Sequence, residues 1–372
     1  MALSGAPRRI KPFISHVGDE KSDMGSVKMG MLGSGFVVSY FHLPALMEIP
    51  KAEVVAIGSR RQAPVEELAR RFGVKKTYYG DRYLERLCTD PEIDTVFICL
   101  PNFLHLEATL RAAENGKNVI CEKPLGRNAE EAKAMLDAVE RYGVLHGYAE
   151  DQVFSPQITR VKGMIDSGAL GKVFWVRTRE AHFGPHSDWF WNPELSGGGS
   201  LLDMGCHSVE VARYFIGDEP VEVMGWGATL VHTAKTRAED NSLAVVRYQG
   251  GQIGQSENSW AAHGGLDLRY EVYGSEGAAF IDTTRDTGIR VFTVAPEEKV
   301  GYVVEKAEVG RGWMYPIWRE HELYGYLHEL QHFVDAFSQG KMPRETYRDG
   351  YIVNKILDAA YKSMKSGRWE KI

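Results

Sequence analysis

Cysteine is scarce and scattered. Cys88, Cys99, Cys121 and Cys206 form no CxxC pair, and three of them sit beside apolar residues. This excludes a disulfide framework and a cysteine-built zinc site, and it predicts reduced core thiols in a cytoplasmic protein. No basic surplus exists either. The formal net charge is −6, whereas binding a phosphate backbone calls for a basic surface, so no nucleic-acid partner is expected. No apolar run approaches the ~20 residues of a membrane helix. The longest, such as Val96 to Leu100, are strand-sized, so no membrane partner is expected. Residues 1–26 are polar, carry Pro7, Pro12 and Gly18, and lack the apolar core of a secretory signal. They read as a flexible arm. Internal repeats and low-complexity segments are absent. What is present is ordinary globular usage, 44% hydrophobic and 25% charged over 372 residues. That suffices for one or two domains that bury their own cores.

From Val27 to Tyr148 strand-like and helix-like segments alternate strictly. Expected strands are Val27 to Leu32, Ala52 to Ile57, Thr95 to Leu100, Asn118 to Cys121 and Val144 to Tyr148. Expected helices are Phe36 to Met47, Pro64 to Phe72, Asp81 to Leu87, His105 to Asn115 and one capped by Asn128 that ends at Tyr142. Strands apolar on both faces demand a parallel sheet covered by helices on each side, which is a doubly wound α/β domain over residues 27–149.

Such sheets bind ligands at the carboxyl ends of their strands. The first strand-to-helix turn there is Gly33-Ser34-Gly35, followed by Phe36. A glycine pair lets the backbone turn tightly and presents a helix N-terminus to a pyrophosphate. The third glycine of the full fingerprint is replaced by Val38, so the signal rests on its position between strand and helix. After the second strand stands Gly58-Ser59-Arg60-Arg61, where NAD sites carry an acid for the ribose 2′-hydroxyl. Ser59 and Arg60 suit a 2′-phosphate instead. The expected cofactor is therefore NADP ahead of NAD.

Removing hydride from a secondary alcohol needs a base near neutral pKa and a cation beside the developing alkoxide. Histidine and lysine are the natural pair. Lys123 follows a sheet strand and precedes Pro124, while Asp203 and His207 stand four apart in an expected helix, Leu201 to Phe215, which would put both on one face. One sulfur and no second clustered histidine give no metal set. The segments Gly30 to Gly35, Cys99-Leu100-Pro101-Asn102-Phe103-Leu104-His105, Cys121-Glu122-Lys123-Pro124-Leu125 and Gly197-Gly198-Gly199-Ser200-Leu201-Leu202-Asp203-Met204-Gly205-Cys206-His207 resemble the Gfo/Idh/MocA oxidoreductase family, from Val27 onward. The resemblance implies a catalytic group of Lys123, Asp203 and His207, with His207 as base, Asp203 tuning the cluster and Lys123 polarising the same oxygen. Expected cofactor contacts are Gly33, Ser34, Gly35, Phe36, Ser59, Arg60, Leu100, Pro101, Asn102, His105, Glu122 and Lys123. A base limb near the histidine pKa of ~6.5 is expected, pushed up by Asp203 and down by Lys123.

Residues 150–372 read differently. A helix from Ser155 to Ser167 and a strand from Val173 to Arg179 lead into a long stretch with His182, His186, Trp189 and Trp191. Strands Val221 to Thr229, Ser242 to Tyr248, Gln252 to Trp260, Leu268 to Tyr273 and Ala278 to Ile281 follow, and helices Gly325 to Gln339 and Asp349 to Lys365 close the chain. This is an α+β domain with a large, mostly antiparallel open sheet. Aromatic faces and planar polar groups suit a carbohydrate or cyclic polyol, with Glu150, His182, His186, Trp189, Asp203 and His207 as expected substrate contacts. With few helices to cover the sheet, a homodimer or homotetramer is expected. The leading function is an NAD(P)-dependent dehydrogenase of a sugar, glycoside or inositol. The alternatives are a glycosidase-like enzyme that oxidises its sugar transiently with bound NAD, and a nucleotide-binding regulator. Retention of Lys123, Asp203 and His207 argues against the regulator.

Overall fold

The structure, a computed structural model, describes residues 25–294, 305–306 and 312–372, so all but the last two positions of the expected arm lie outside the described residues. A six-stranded parallel sheet is built from β1 (Val27–Leu32), β2 (Ala52–Gly58), β3 (Lys76–Tyr78), β4 (Thr95–Ile98), β5 (Asn118–Glu122) and β6 (His146–Ala149), most of them apolar runs. Its order is β3-β2-β1-β4-β5-β6, so the direction of winding reverses between β1 and β4. The short β3 was not expected. Its three residues, Lys-Thr-Tyr, are half-buried and show no apolar run.

Around the sheet lie α1 (Leu43–Met47), α2 (Gln62–Phe72), α3 (Tyr83–Cys88), α4 (His105–Glu114) and α5 (Ala129–Tyr142). A wide π turn, Val38–His42, precedes α1. Pro44 has no N–H to return to the preceding turn, and its ring crowds that carbonyl, so the helix widens there. The widened turn accommodates a fully buried Val38 where the fingerprint has glycine. Asn128 caps α5 by accepting from the Glu131 amide, but the Glu131 carboxylate answers the Arg127 amide rather than that of Asn128.

The remaining chain builds α6 (Pro156–Asp166), β7 (Val173–Ala181), α7 (Pro193–Ser196), α8 (Ser200–Asp203), α9 (Gly205–Ile216), β8 (Pro220–Ala228), β9 (Asn241–Tyr248), β10 (Ile253–Ser259), β11 (Asp267–Gly274) and β12 (Ala278–Asp282). Then come β13 (Val291–Thr293), β14 (Gly312–Met314), α10 (Glu320–Leu323), α11 (Tyr326–Ser338), α12 (Tyr347–Ser366) and β15 (Glu370–Lys371). The larger sheet runs β12-β11-β7-β10-β9-β8-β15. All its pairs are antiparallel except β7 with β10. Alternation along β8 and β9 sends Val223, Ala244 and Val246 inward onto Val209 of α9 and Val353 and Leu357 of α12. The opposite face keeps Trp175, Trp226 and Phe280 exposed. Met29 and Met31 of β1 share one core with Phe333 and Val334 of α11 and Val211 of α9, which locks the two sheets together. Across the same junction Asn354 donates to the Gly126 carbonyl and Asp358 accepts from the Ala129 amide. Among the described residues, no helix is long and apolar enough to cross a membrane.

Candidate active site

A cavity of about 670 Å³ lies between the two sheets, at the carboxyl ends of β1, β2, β4 and β5. Gly33 closes β1 with a φ of 131°, and a Cβ there would sit 2.3 Å from the Cys99 carbonyl oxygen. Only glycine fits so close a backbone approach in that conformation. Gly35 faces open space, so the amides opening the first helix stand clear for a phosphate. Ser34 Oγ donates to Ser59 Oγ at 3.0 Å, which ties the first two strand ends together. Arg60, Arg61, Tyr83 and Leu84 line this end, as does Asp81, an acid brought in by the loop after β3. Leu100, Pro101 and Asn102 form the opposite wall, with Asn102 Nδ2 donating to the Ser196 carbonyl at 2.8 Å. A long cleft with a glycine floor, an open helix start and a cationic end fits a nicotinamide dinucleotide.

Two expected cofactor contacts stand elsewhere or are already engaged. His105 lies outside the cavity lining. Its ring nitrogens sit 2.8 Å from the Leu100 carbonyl and within 3.1–3.2 Å of those of Pro124 and Leu125, so it braces two loops. Glu122 lines the cavity, but its carboxylate pairs with His42 and accepts from the Lys123 amide.

At the other end of the cavity Lys123 follows β5, and the Lys123–Pro124 peptide is cis. Its Nζ lies 3.6 Å from Asp203 Oδ1 and donates to the Asp203 carbonyl at 3.2 Å. Burial disfavours the ammonium, yet Asp203 and neighbouring acids outweigh it and hold Lys123 above the usual lysine range. Asp203 is also buried. The Lys123 charge, His182, His186 and the Trp260 indole N–H, donated at 3.0 Å, outweigh that burial and keep it below the usual aspartate range. The expected single helix over Leu201 to Phe215 is broken at Met204 into α8 and α9. Asp203 and His207 both line the cavity, but they make no hydrogen bond to each other. The His207 partner is Glu150, whose Oε1 lies 2.6 Å from Nδ1, and Nε2 has no partner among the described residues. Burial, then the Lys123 charge, push the imidazole below its ordinary pKa. Burial pushes the Glu150 carboxyl up to about 8.

Expected substrate contacts divide likewise. His186 and Trp189 line the cavity, with His186 paired to Glu305 at 2.7 Å and stacked on Phe36. His182 is buried behind His186 and outside the lining, and Glu150 lies behind His207. Glu180 was missed as a site residue, though it lines the cavity. It is the penultimate residue of β7, and the expected strand stopped one residue short of it. Nor was Trp260 singled out; only the return of β10 beside α8 brings its indole to Asp203.

Residues 27–149 match the oxidoreductase family with NAD-binding Rossmann fold, and residues 158–280 match the GFO/IDH/MocA C-terminal domain. The chain is 30% identical to scyllo-inositol 2-dehydrogenase (NAD(+)) of Bacillus subtilis strain 168, covering 92% of this chain and 95% of that one. It belongs to the Gfo/Idh/MocA family. Family neighbours in three dimensions include GenD2 from gentamicin A biosynthesis in complex with NAD, 29% identical with a TM-score of 0.86 over 94% of this chain and 97% of that one. Levoglucosan dehydrogenase in complex with NADH and levoglucosan is 27% identical, with a TM-score of 0.79 over 93% and 99%. As a Gfo/Idh/MocA member with this cleft, the chain is an NAD(P)-dependent oxidoreductase acting on a CH–OH group. The inositol and levoglucosan relatives are dehydrogenases by name, and the glycosidase-like alternative has no support among the relatives.

Proposed function

We propose that this enzyme oxidises a ring-borne secondary hydroxyl of a sugar, glycoside or inositol, with His207 as base. Residues 27–149 form the dinucleotide-binding domain and 150–372 the substrate-binding and assembly domain. A bound nicotinamide dinucleotide supplies the hydride acceptor. The observation that carries the reading is the convergence of a fixed cation, Lys123, and an imidazole with an open Nε2 on one wall of the cleft, at the end of β5. His207 takes the hydroxyl proton through Nε2. The Lys123 ammonium stabilises the oxygen as it gains charge, beside the buried Asp203 and His207. Asp203 holds the ammonium in place and is held in turn by Trp260. Trp189 and His186 border the sugar ring.

The cofactor is NADP in preference to NAD, since Arg60 and Ser59 stand at the cavity end where a 2′-phosphate would lie. Arg60→Ala should then weaken NADP far more than NAD in a titration of cofactor fluorescence. Equal losses would remove that assignment. The four cysteines are unpaired, which supports work in the reducing cytoplasm.

The central test is a panel of inositols and sugars with both dinucleotides, followed at the reduced-nicotinamide absorbance. Turnover is expected, and His207→Ala should lower it by about 10²–10⁴ with cofactor binding retained. Near-normal turnover in that variant would move the base elsewhere.

A further inference from the structure

The reaction end of the cavity holds more acids than cations. Asp203 answers Lys123 at 3.6 Å and Glu305 answers His186 at 2.7 Å. Asp151 and Glu180 also line this end, and among the described residues neither pairs with a lysine or arginine. Asp151 is 5% exposed. Its Oδ1 is 3.7 Å from a His207 nitrogen that already serves Glu150, and neither of its oxygens accepts a hydrogen bond among the described residues. Glu180 is 7% exposed and accepts one bond, from the neutral Gln152 amide at 2.7 Å. That amide is itself fixed by the Tyr270 hydroxyl, which donates to its oxygen at 2.6 Å. Among the described residues, the lysine or arginine lining this end is Lys123, and it is committed to Asp203.

Buried carboxylates without a partner charge are costly. Burial pushes Glu180 up to about 7 and Asp151 well above its ordinary range. A neutral polyol needs only neutral hydrogen-bonding groups, which amides and hydroxyls provide without that cost. A metal ion is a poor completion, because neither acid belongs to any of the groups of clustered ligand atoms found among the described residues.

We propose that Asp151 and Glu180 form an ammonium subsite, so that the polyol oxidised here carries a protonated amino group, as in an amino sugar or an aminocyclitol. The inference rests on the dehydrogenase reading above and narrows its substrate. The bound ammonium would complete both carboxylates and sit close to His207, whose field both acids share.

Matched pairs test it: scyllo-inosamine against scyllo-inositol, and glucosamine against glucose. Each is assayed for kcat/KM with saturating oxidised dinucleotide, and titrated by calorimetry into enzyme holding the reduced form. The aminated member of at least one pair should be favoured by about tenfold or more, and Asp151→Asn or Glu180→Gln should lower that ratio by about tenfold. If the two acids only tune His207 or brace the fold, each substitution changes both members of a pair alike, and an unmoved ratio overturns the proposal. A native ratio at or below one in both pairs also overturns it, while leaving the dehydrogenase reading intact. Neither turnover nor binding with all four compounds would instead overturn that reading, and the proposal with it.

Discussion

His207 and Glu150 approach too closely to titrate separately. With its extra proton, the pair holds either a neutral carboxyl beside an imidazole protonated on Nε2 or a carboxylate beside an imidazolium. Neither form accepts a proton through Nε2. Losing that proton leaves a carboxylate that accepts from Nδ1–H and frees Nε2. Oxidation should therefore rise with pH through an apparent pKa near the Glu150 value of about 8, rather than the ~6.5 of a lone histidine. Glu150→Gln removes the carboxyl but leaves burial and Lys123, which depress the imidazole. The limb in a kcat/KM profile should then move to below ~6.5. A limb that stays put would show that this pair is not the base. Asp203 and His207 were legible because the motif and the helical spacing put them in view. Glu150 was legible only as a residue near the site, since no spacing rule reports that an acid at the end of β6 reaches a ring on α9.

Secondary elements position these residues, and their turns set how much change the site tolerates. Gly33→Ala puts a Cβ against the Cys99 carbonyl in a backbone conformation side chains rarely adopt. It should cost about 1–3 kcal/mol of stability and abolish dinucleotide binding, measured by thermal unfolding with and without cofactor. The Asp240 carboxylate accepts from the amides of Leu230, Val231 and His232 at 2.7–2.8 Å, which closes the loop between β8 and β9. Asp240→Ala leaves those amides without partners and should lower stability by about 2 kcal/mol or more, read from the denaturant midpoint. Most strands and helices could be read from periodicity and caps. The misses were local: β3, β13, β14, β15, α7 and α10 are too short for a pattern, and the break at Met204 leaves no proline and no change of periodicity to announce it.

At the scale of the whole molecule, the large sheet is covered on one face only among the described residues. Trp226 is 52% exposed and Phe280 69%, on a face that also carries Trp175 and crosses β12 to β8. Apolar surface of this kind is normally buried against another subunit. Light scattering should give at least twice the chain mass of 41.7 kDa, and Trp175→Glu with Trp226→Glu should shift the population toward monomer. A native protein that is monodisperse at the chain mass would refute the assembly.

The amino-acid sequence alone determined the alternating strands and helices of the first sheet, the glycine turn after β1, and the motifs that carry Lys123, Asp203 and His207. All of these depend on neighbours within a few positions, where periodicity, capping and turn chemistry operate. The pairings were decided by the tertiary structure: His42 with Glu122, Trp260 with Asp203, Glu150 with His207, and the bracing role of His105. Three of these four join residues 50 or more positions apart, and burial then sets their protonation. Local patterns carry no record of such distances, because which acid meets which base is settled only when α9 and β10 close over the strand ends of the first sheet.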